Sequence, residues 1–267
     1  MYSIHNHSTF CDGKNSVAEM SNAARKAGLT HFGLSGHAPV LFENEWSIAS
    51  VEKLDEYFAA IATEKATGGK TKILAGLEAD YIPGLSYPFD FFRKSYQPDY
   101  LIGSIHLVSF EGQLWFIDGP VEGYDNGLKT IFGNDIRKAA KAFYNQTCEM
   151  IETQKPDILG HPDKLLMHNR NRFIKHDDPY LFNLLKETLM LATEKDIVVE
   201  INTRGIYKGL HNDYYPGQYI FPFLKENKTK VMMSADGHDT SQIILGFDKL
   251  HSLIETESLI EFDIFRL

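Results

Sequence analysis

Seven short apolar or β-branched runs recur along the chain, at Tyr2 to His5, His31 to Ser35, Lys72 to Ala79, Tyr100 to Ser104, Asp157 to Gly160, Ile197 to Asn202 and Lys230 to Ser234. Each is one strand long, and the gaps between them are long, which is the spacing of βα units on a parallel sheet rather than of a sandwich. The gaps carry helical periods at Ser16 to Ala27, Ser50 to Thr67, Phe89 to Tyr96, Asp135 to Gln154, Pro179 to Lys195, Tyr219 to Glu226 and Ser241 to Ile254. Asp135, Ala139, Phe143 and Met150 fall near one face, as a 3.6-residue repeat requires. Ser16 with Glu19 three residues on reads as a capping box, and Gly28 supplies the left-handed residue that ends that helix. Two stretches break the alternation, Pro39 to Ile48 after the second strand and Phe110 to Gly133 after the fourth. Both are expected to be irregular loops over a binding site.

No internal repeat or linker divides the chain, so one α/β domain over residues 1–267 is expected, with 43% apolar residues to fill its core. No run approaches 18 apolar residues, and Met1-Tyr2-Ser3-Ile4 leads straight into polar positions, which predicts no membrane partner and a cytoplasmic location. Cys11 and Cys148 stand in neither metal nor redox spacing and are read as reduced thiols. The net charge of -9 argues against nucleic acid as a partner. An anionic substrate would then need a local source of positive charge.

That source is suggested by what stands at the strand ends. His5-Asn6-His7 closes the first strand, with both imidazoles on one face. Asp12 follows before Gly13, His37 after the second strand, Glu78 at the end of the third, His106 after the fourth, His161 after the fifth, and Asp236 with His238 after the seventh. Any one of these has an ordinary structural role. Six of seven predicted strand ends carrying such a residue is another matter, because parallel strands in a barrel converge there and bring the side chains to one metal site.

These motifs together resemble the polymerase and histidinol phosphatase superfamily, and within it the bacterial histidinol-phosphatases. The carriers are His5-Asn6-His7-Ser8, Asp12-Gly13, Ser35-Gly36-His37-Ala38-Pro39, Gly76-Leu77-Glu78-Ala79-Asp80-Tyr81-Ile82-Pro83-Gly84, Gly103-Ser104-Ile105-His106, Leu159-Gly160-His161-Pro162-Asp163 and Ser234-Ala235-Asp236-Gly237-His238. The resemblance implies a distorted seven-stranded (β/α) barrel and three divalent metal ions, zinc, manganese or iron. It implies one ion on His5, His7, Glu78 and Asp236, a second sharing Glu78 with His106 and His161, and a third on Asp12, His37 and His238. Two positions depart from the pattern. Asp12 stands where many similar histidinol-phosphatases carry His, and Tyr207 stands where an Arg is usual, with Arg204 three residues earlier.

The expected chemistry is hydrolysis of a small phosphate monoester, L-histidinol phosphate by the resemblance, through a metal-bridging water whose pKa is lowered toward about 7. Glu78 and Asp236 would hold the ions and Asp236 or a neighbouring His would pass a proton to the leaving group. Arg204 would clamp phosphate. Trp46 either closes over the substrate or packs its loop, and Lys164 either touches phosphate or caps a helix. His31, His168, His176, His211 and His251 lack the strand-end register and are read as structural, as is Cys11. Other readings are a phosphatase for another small ester or phosphotyrosine, a nuclease, which the acidic charge disfavours, and a non-catalytic module, which would be expected to have lost ligands.

Overall fold

A computed structural model describes residues 1–266. The β-branched and aromatic runs become strands β1 (Tyr2–Ser3), β2 (His31–Leu34), β3 (Lys72–Asp80), β4 (Tyr100–Ser104), β5 (Leu107–Phe110), β6 (Gln113–Phe116), β7 (Ile158–Leu159), β8 (Val198–Asn202), β9 (Lys230–Ser234) and β10 (Ile260–Glu261). All but β5 and β6 form one sheet in the order β1-β2-β3-β4-β7-β8-β9-β10. Every pairing in it is parallel. The sheet curls until its flanks meet. Asn6, just past β1, bridges Gly237, just past β9, with the His7 N–H donating to the Gly237 carbonyl at 2.8 Å and the Gly237 N–H donating to the His5 carbonyl at 3.1 Å.

The sheet has eight strands, not the seven expected. The additional one, β10, is two residues long with Ile260 largely exposed, too short a pattern to register as a strand in sequence. It leads into Phe262 and Ile264, which join Tyr2, Ile4, Leu74, Tyr100, Ile102, Ile158, Val198 and Met232 in an apolar cluster inside the curl. Residues of opposite parity, such as Ile73, Leu101, Val199 and Val231, belong to a second and larger cluster shared with the helices. One strand face thus fills the interior and the other seats the helical layer.

Helices at Val17–Lys26, Val51–Thr67, Phe89–Tyr96, Ile136–Gln154, Pro179–Glu194 and Phe221–Glu226 lie where the period places them. The Ser16–Glu19 capping box is formed on both sides, and Gly28 has φ +69°. Pro39–Ile48 is irregular, as expected.

Two further expectations fail. Phe110 to Gly133 is ordered: β5 and β6 pair as an antiparallel hairpin, followed by a helix at Val121–Phe132. The hairpin turns through Glu111 and Gly112, both at positive φ, the pairing a twisted two-residue turn requires. Gly123 and Gly127 disguise the helix by lowering its propensity. Gly127 is there for packing, since a Cβ would lie 2.2 Å from the Trp115 ring. The predicted helix from Ser241 to Ile254 spans only Phe247–Glu257 in the structure. Gly246, at φ +83°, holds a left-handed conformation that an advancing helix cannot contain. No helix among the described residues is long and apolar enough to cross a membrane.

Candidate metal centre

The interior face changes character toward the strand ends. Along β3 it runs from Leu74 to Glu78 and Asp80, along β8 from Val198 to Glu200, and along β9 from Met232 through Ser234 to Asp236. Glu78, Asp80, Glu200 and Asp236 are all buried. Carboxylates so placed must be paired or must hold a cation.

Five imidazoles converge on the Glu78 carboxylate. His5 Nε2, His7 Nε2 and His37 Nδ1 lie 3.1, 3.5 and 3.2 Å from its Oε2. His161 Nε2 and His106 Nε2 lie 2.9 and 3.5 Å from Oε1. Asp236 Oδ1 approaches His7 Nε2 at 3.2 Å, and Asp12 Oδ2 approaches His238 Nε2 at 3.1 Å. The nine residues singled out at the strand ends are therefore gathered in one place. Yet His5 Nε2, His7 Nε2, His37 Nδ1, Glu78 Oε2, His106 Nε2 and Asp236 Oδ1 are buried without a hydrogen-bond partner.

Orphaned buried polar atoms are costly, and six facing one another require an explanation. Ligands about 2.1 Å from a tetrahedral ion lie roughly 3.4 Å apart, close to the separations here. Groups compact enough to share an ion are His5-His7-Glu78, Glu78-His106-His161, His7-Asp12-His37-His238 and His37-Asp80-His106. The donor set of imidazole and carboxylate suits zinc and other divalent transition metals.

Residues behind the cluster fix its imidazoles. Glu200 accepts from His5 Nδ1 at 2.5 Å and from the His161 backbone N–H at 2.7 Å. Asp80 accepts from His106 Nδ1 at 2.9 Å. Each pairing leaves Nε2 facing the centre, the arrangement that sets tautomer and orientation in metal-binding histidines. Sequence reasoning assigned neither carboxylate a role. Asp80 shares the Glu78 strand face, and Glu200 is a charge inside the run Val198-Val199-Glu200-Ile201, so both left a signal.

The electrostatics are those of a cluster held together by opposite charges. Burial alone would raise the Glu78 carboxyl, but His5, His37 and His106 hold it well below the usual range. Burial lowers His106, yet Asp80, Asp118 and Glu78 together outweigh it and take the imidazole up to about 9. His7, buried beside His238 and His37, is pushed well below its ordinary value. His161 and Asp236 sit at φ +22° and +49°, backbone strain that persists only where surrounding structure imposes it.

A cavity of about 290 Å³ opens above the cluster, lined by Asp12, His37, His106, His161, Asp236 and His238 on its floor. Arg204, Lys164 and Trp46, the three residues expected to touch substrate, also line it. Arg204 Nη1 donates to the Asp236 carbonyl at 2.7 Å and lies 2.9 Å from His238 Nδ1. It also reaches the Tyr207 hydroxyl at 3.4 Å, which donates to the Ala235 carbonyl. Tyr207 thus braces the arginine that stands one helical turn before it.

The Lys164 ammonium pairs with Asp118 at 3.0 Å, and Asp118 lines the same cavity. Cys11 Sγ lies 3.5 Å from His7 Nδ1. Burial and then Asp12 push its thiol up to about 12, which leaves it protonated and a poor nucleophile. Of the other histidines, His168 donates to the Gly119 carbonyl and His31 packs on Phe265. None of the five belongs to the groups above.

A curled parallel sheet with histidines and carboxylates converging at its strand ends defines a metal-dependent hydrolase. The chain belongs to the PHP domain family, whose model matches residues 3–204. A Deinococcus radiodurans protein that carries a histidinol-phosphatase name is 23% identical over 245 residues, covering 90% of this chain and 86% of its own. Two solved structures share the fold. One, from Listeria monocytogenes and also named for histidinol phosphatase, has a TM-score of 0.81 at 23% identity, covering 93% of this chain and 99% of its own. The other, a histidinol phosphate phosphatase from Lactococcus lactis in complex with zinc, L-histidinol and phosphate, has a TM-score of 0.71 at 20% identity, covering 98% and 95%.

Proposed function

We propose that the chain is a phosphatase that uses three divalent ions to hydrolyse a small phosphate monoester, and that the ester is L-histidinol phosphate, cleaved to L-histidinol and inorganic phosphate in histidine biosynthesis. The observation that carries the reading is the set of six orphaned ligand atoms in the cluster, Glu78 Oε2 among them. One ion would be held by His5, His7, Glu78 and Asp236, a second by Glu78, His106 and His161, and a third by Asp12, His37 and His238. Zinc, manganese and iron all suit these donors. When bound, the ions supply positive charge opposite the phosphoryl oxygens and make water acidic enough to serve as nucleophile near neutral pH.

The chain's own residues bind and orient the ester. Arg204 has Nη1 tied to the Asp236 carbonyl and Nε 3.7 Å from the Asp236 carboxylate. That fixes the guanidinium plane and aims its remaining donors at phosphoryl oxygens. Lys164 gives one of its three donors to Asp118 and has two left for phosphate. Asp118 is the one carboxylate among the described lining residues outside the nine ligands, and it offers the negative charge that a leaving group's ammonium would need. The substrate itself is supported by the names of the relatives and by the ligands of the Lactococcus lactis complex.

The test is phosphate release by metal-free protein reloaded with zinc, manganese or iron. L-histidinol phosphate is compared with glycerol phosphate, phosphoserine and phosphotyrosine. Preference for L-histidinol phosphate is expected. Equal, slow release from all four would remove the named substrate, and no release with any metal would remove the phosphatase reading.

A further inference from the structure

We propose that Trp46 and Phe116 form one wall of a slot that reads the leaving group, making the enzyme selective for phosphate esters whose alcohol carries an aromatic or heteroaromatic ring. The proposal rests on the phosphatase reading above and deepens it.

The two residues reach the cavity from different elements. Trp46 lies in the irregular segment after β2 and Phe116 is the last residue of β6. Their ring centroids are 5.9 Å apart at an interplanar angle of 88°, an edge-to-face pair. Phe42 backs Trp46 from its far side at 5.8 Å. The Asn44 Oδ1 accepts from the backbone N–H groups of Trp46 and Ser47 at 3.1 and 2.8 Å. That local turn fixes the backbone that carries the indole.

The hairpin pairing does not by itself require an aromatic residue at Phe116. Strand alternation sends Trp115 into the core, 1% exposed, and turns Phe116 outward, 41% exposed. A polar residue would serve the hairpin there equally well. A large ring left in water at the mouth of a charged cavity is a contact surface for a ligand. Leu107, Met167 and Leu210 continue the apolar wall. A sugar phosphate would bring hydroxyls to this wall and find no partner for them, whereas a planar ring buries its faces there.

Two measurements on the metal-loaded protein test the slot. The first is the ratio of kcat/KM for L-histidinol phosphate to that for phosphoethanolamine, which keeps the phosphate and the ammonium and lacks the ring. Phe116→Ala and Trp46→Ala should each lower the ratio about tenfold, and Phe116→Tyr, which keeps the ring, should restore it. An unchanged ratio in both alanine variants overturns the proposal.

The second needs no turnover. The chain has two tryptophans, Trp46 and Trp115, and L-histidinol with inorganic phosphate should perturb the emission of Trp46, with affinity falling about tenfold in Phe116→Ala. Equal affinity in wild type and Phe116→Ala overturns the slot. If no ester is hydrolysed the phosphatase reading fails, and the titration still decides the slot by itself.

Discussion

Glu78 is the residue on which the site turns, because one carboxylate faces five imidazoles. Glu78→Gln keeps the shape and removes the charge, so elemental analysis should find at least one ion fewer per chain, together with loss of phosphate release. Retention of full metal content would contradict the shared role. The carboxylates behind the cluster act more gently: Asp80→Asn and Glu200→Gln should each lower metal affinity or activity by about 10- to 100-fold, measured by titration with zinc. Arg204→Lys keeps the charge but loses the planar fork, and inhibition by inorganic phosphate should weaken by about tenfold. At this scale the sequence was informative where a residue stood at a strand end, as His5, Glu78 and Asp236 do. Glu200 shows in the sequence only as a charge inside an apolar run, because its function depends on His5, 195 residues away, and only the register of β8 brings the two together.

Among elements, legibility followed propensity. The parallel strands and most helices announce themselves through β-branched runs and 3.6-residue periods, whereas the helix Val121–Phe132 carries two glycines and a proline cap. Its order comes from tertiary packing of Gly127 on Trp115. Gly127→Ala should therefore destabilise the protein by about 1–3 kcal/mol, despite raising helix propensity. Denaturant unfolding checks the sign, and a stabilised variant would show that the contact yields freely. The hairpin was hidden for a related reason. Its strands have four residues each, and one side of the turn is a glutamate at positive φ, a conformation that residue type seldom adopts.

At the scale of the whole molecule, an acidic chain of net charge -9 is read as binding an anionic ester because the positive charge is brought in by metal and focused at one end of the sheet. The interior apolar cluster closes the other end, so the strand ends are the open face. Ions that bind only the folded chain stabilise it by mass action. Stripping them with a chelator should lower Tm by roughly 10 °C per tightly held ion, and scanning calorimetry of stripped and reloaded protein reads this directly. The most direct test of the account joins metal content to chemistry: metal-free protein is titrated with zinc or manganese while bound metal per chain and phosphate release are followed together. The account predicts that release from L-histidinol phosphate is absent without metal and reaches its maximum as three ions per chain are bound. Phosphate release that is independent of metal, or a protein that binds none, would contradict it.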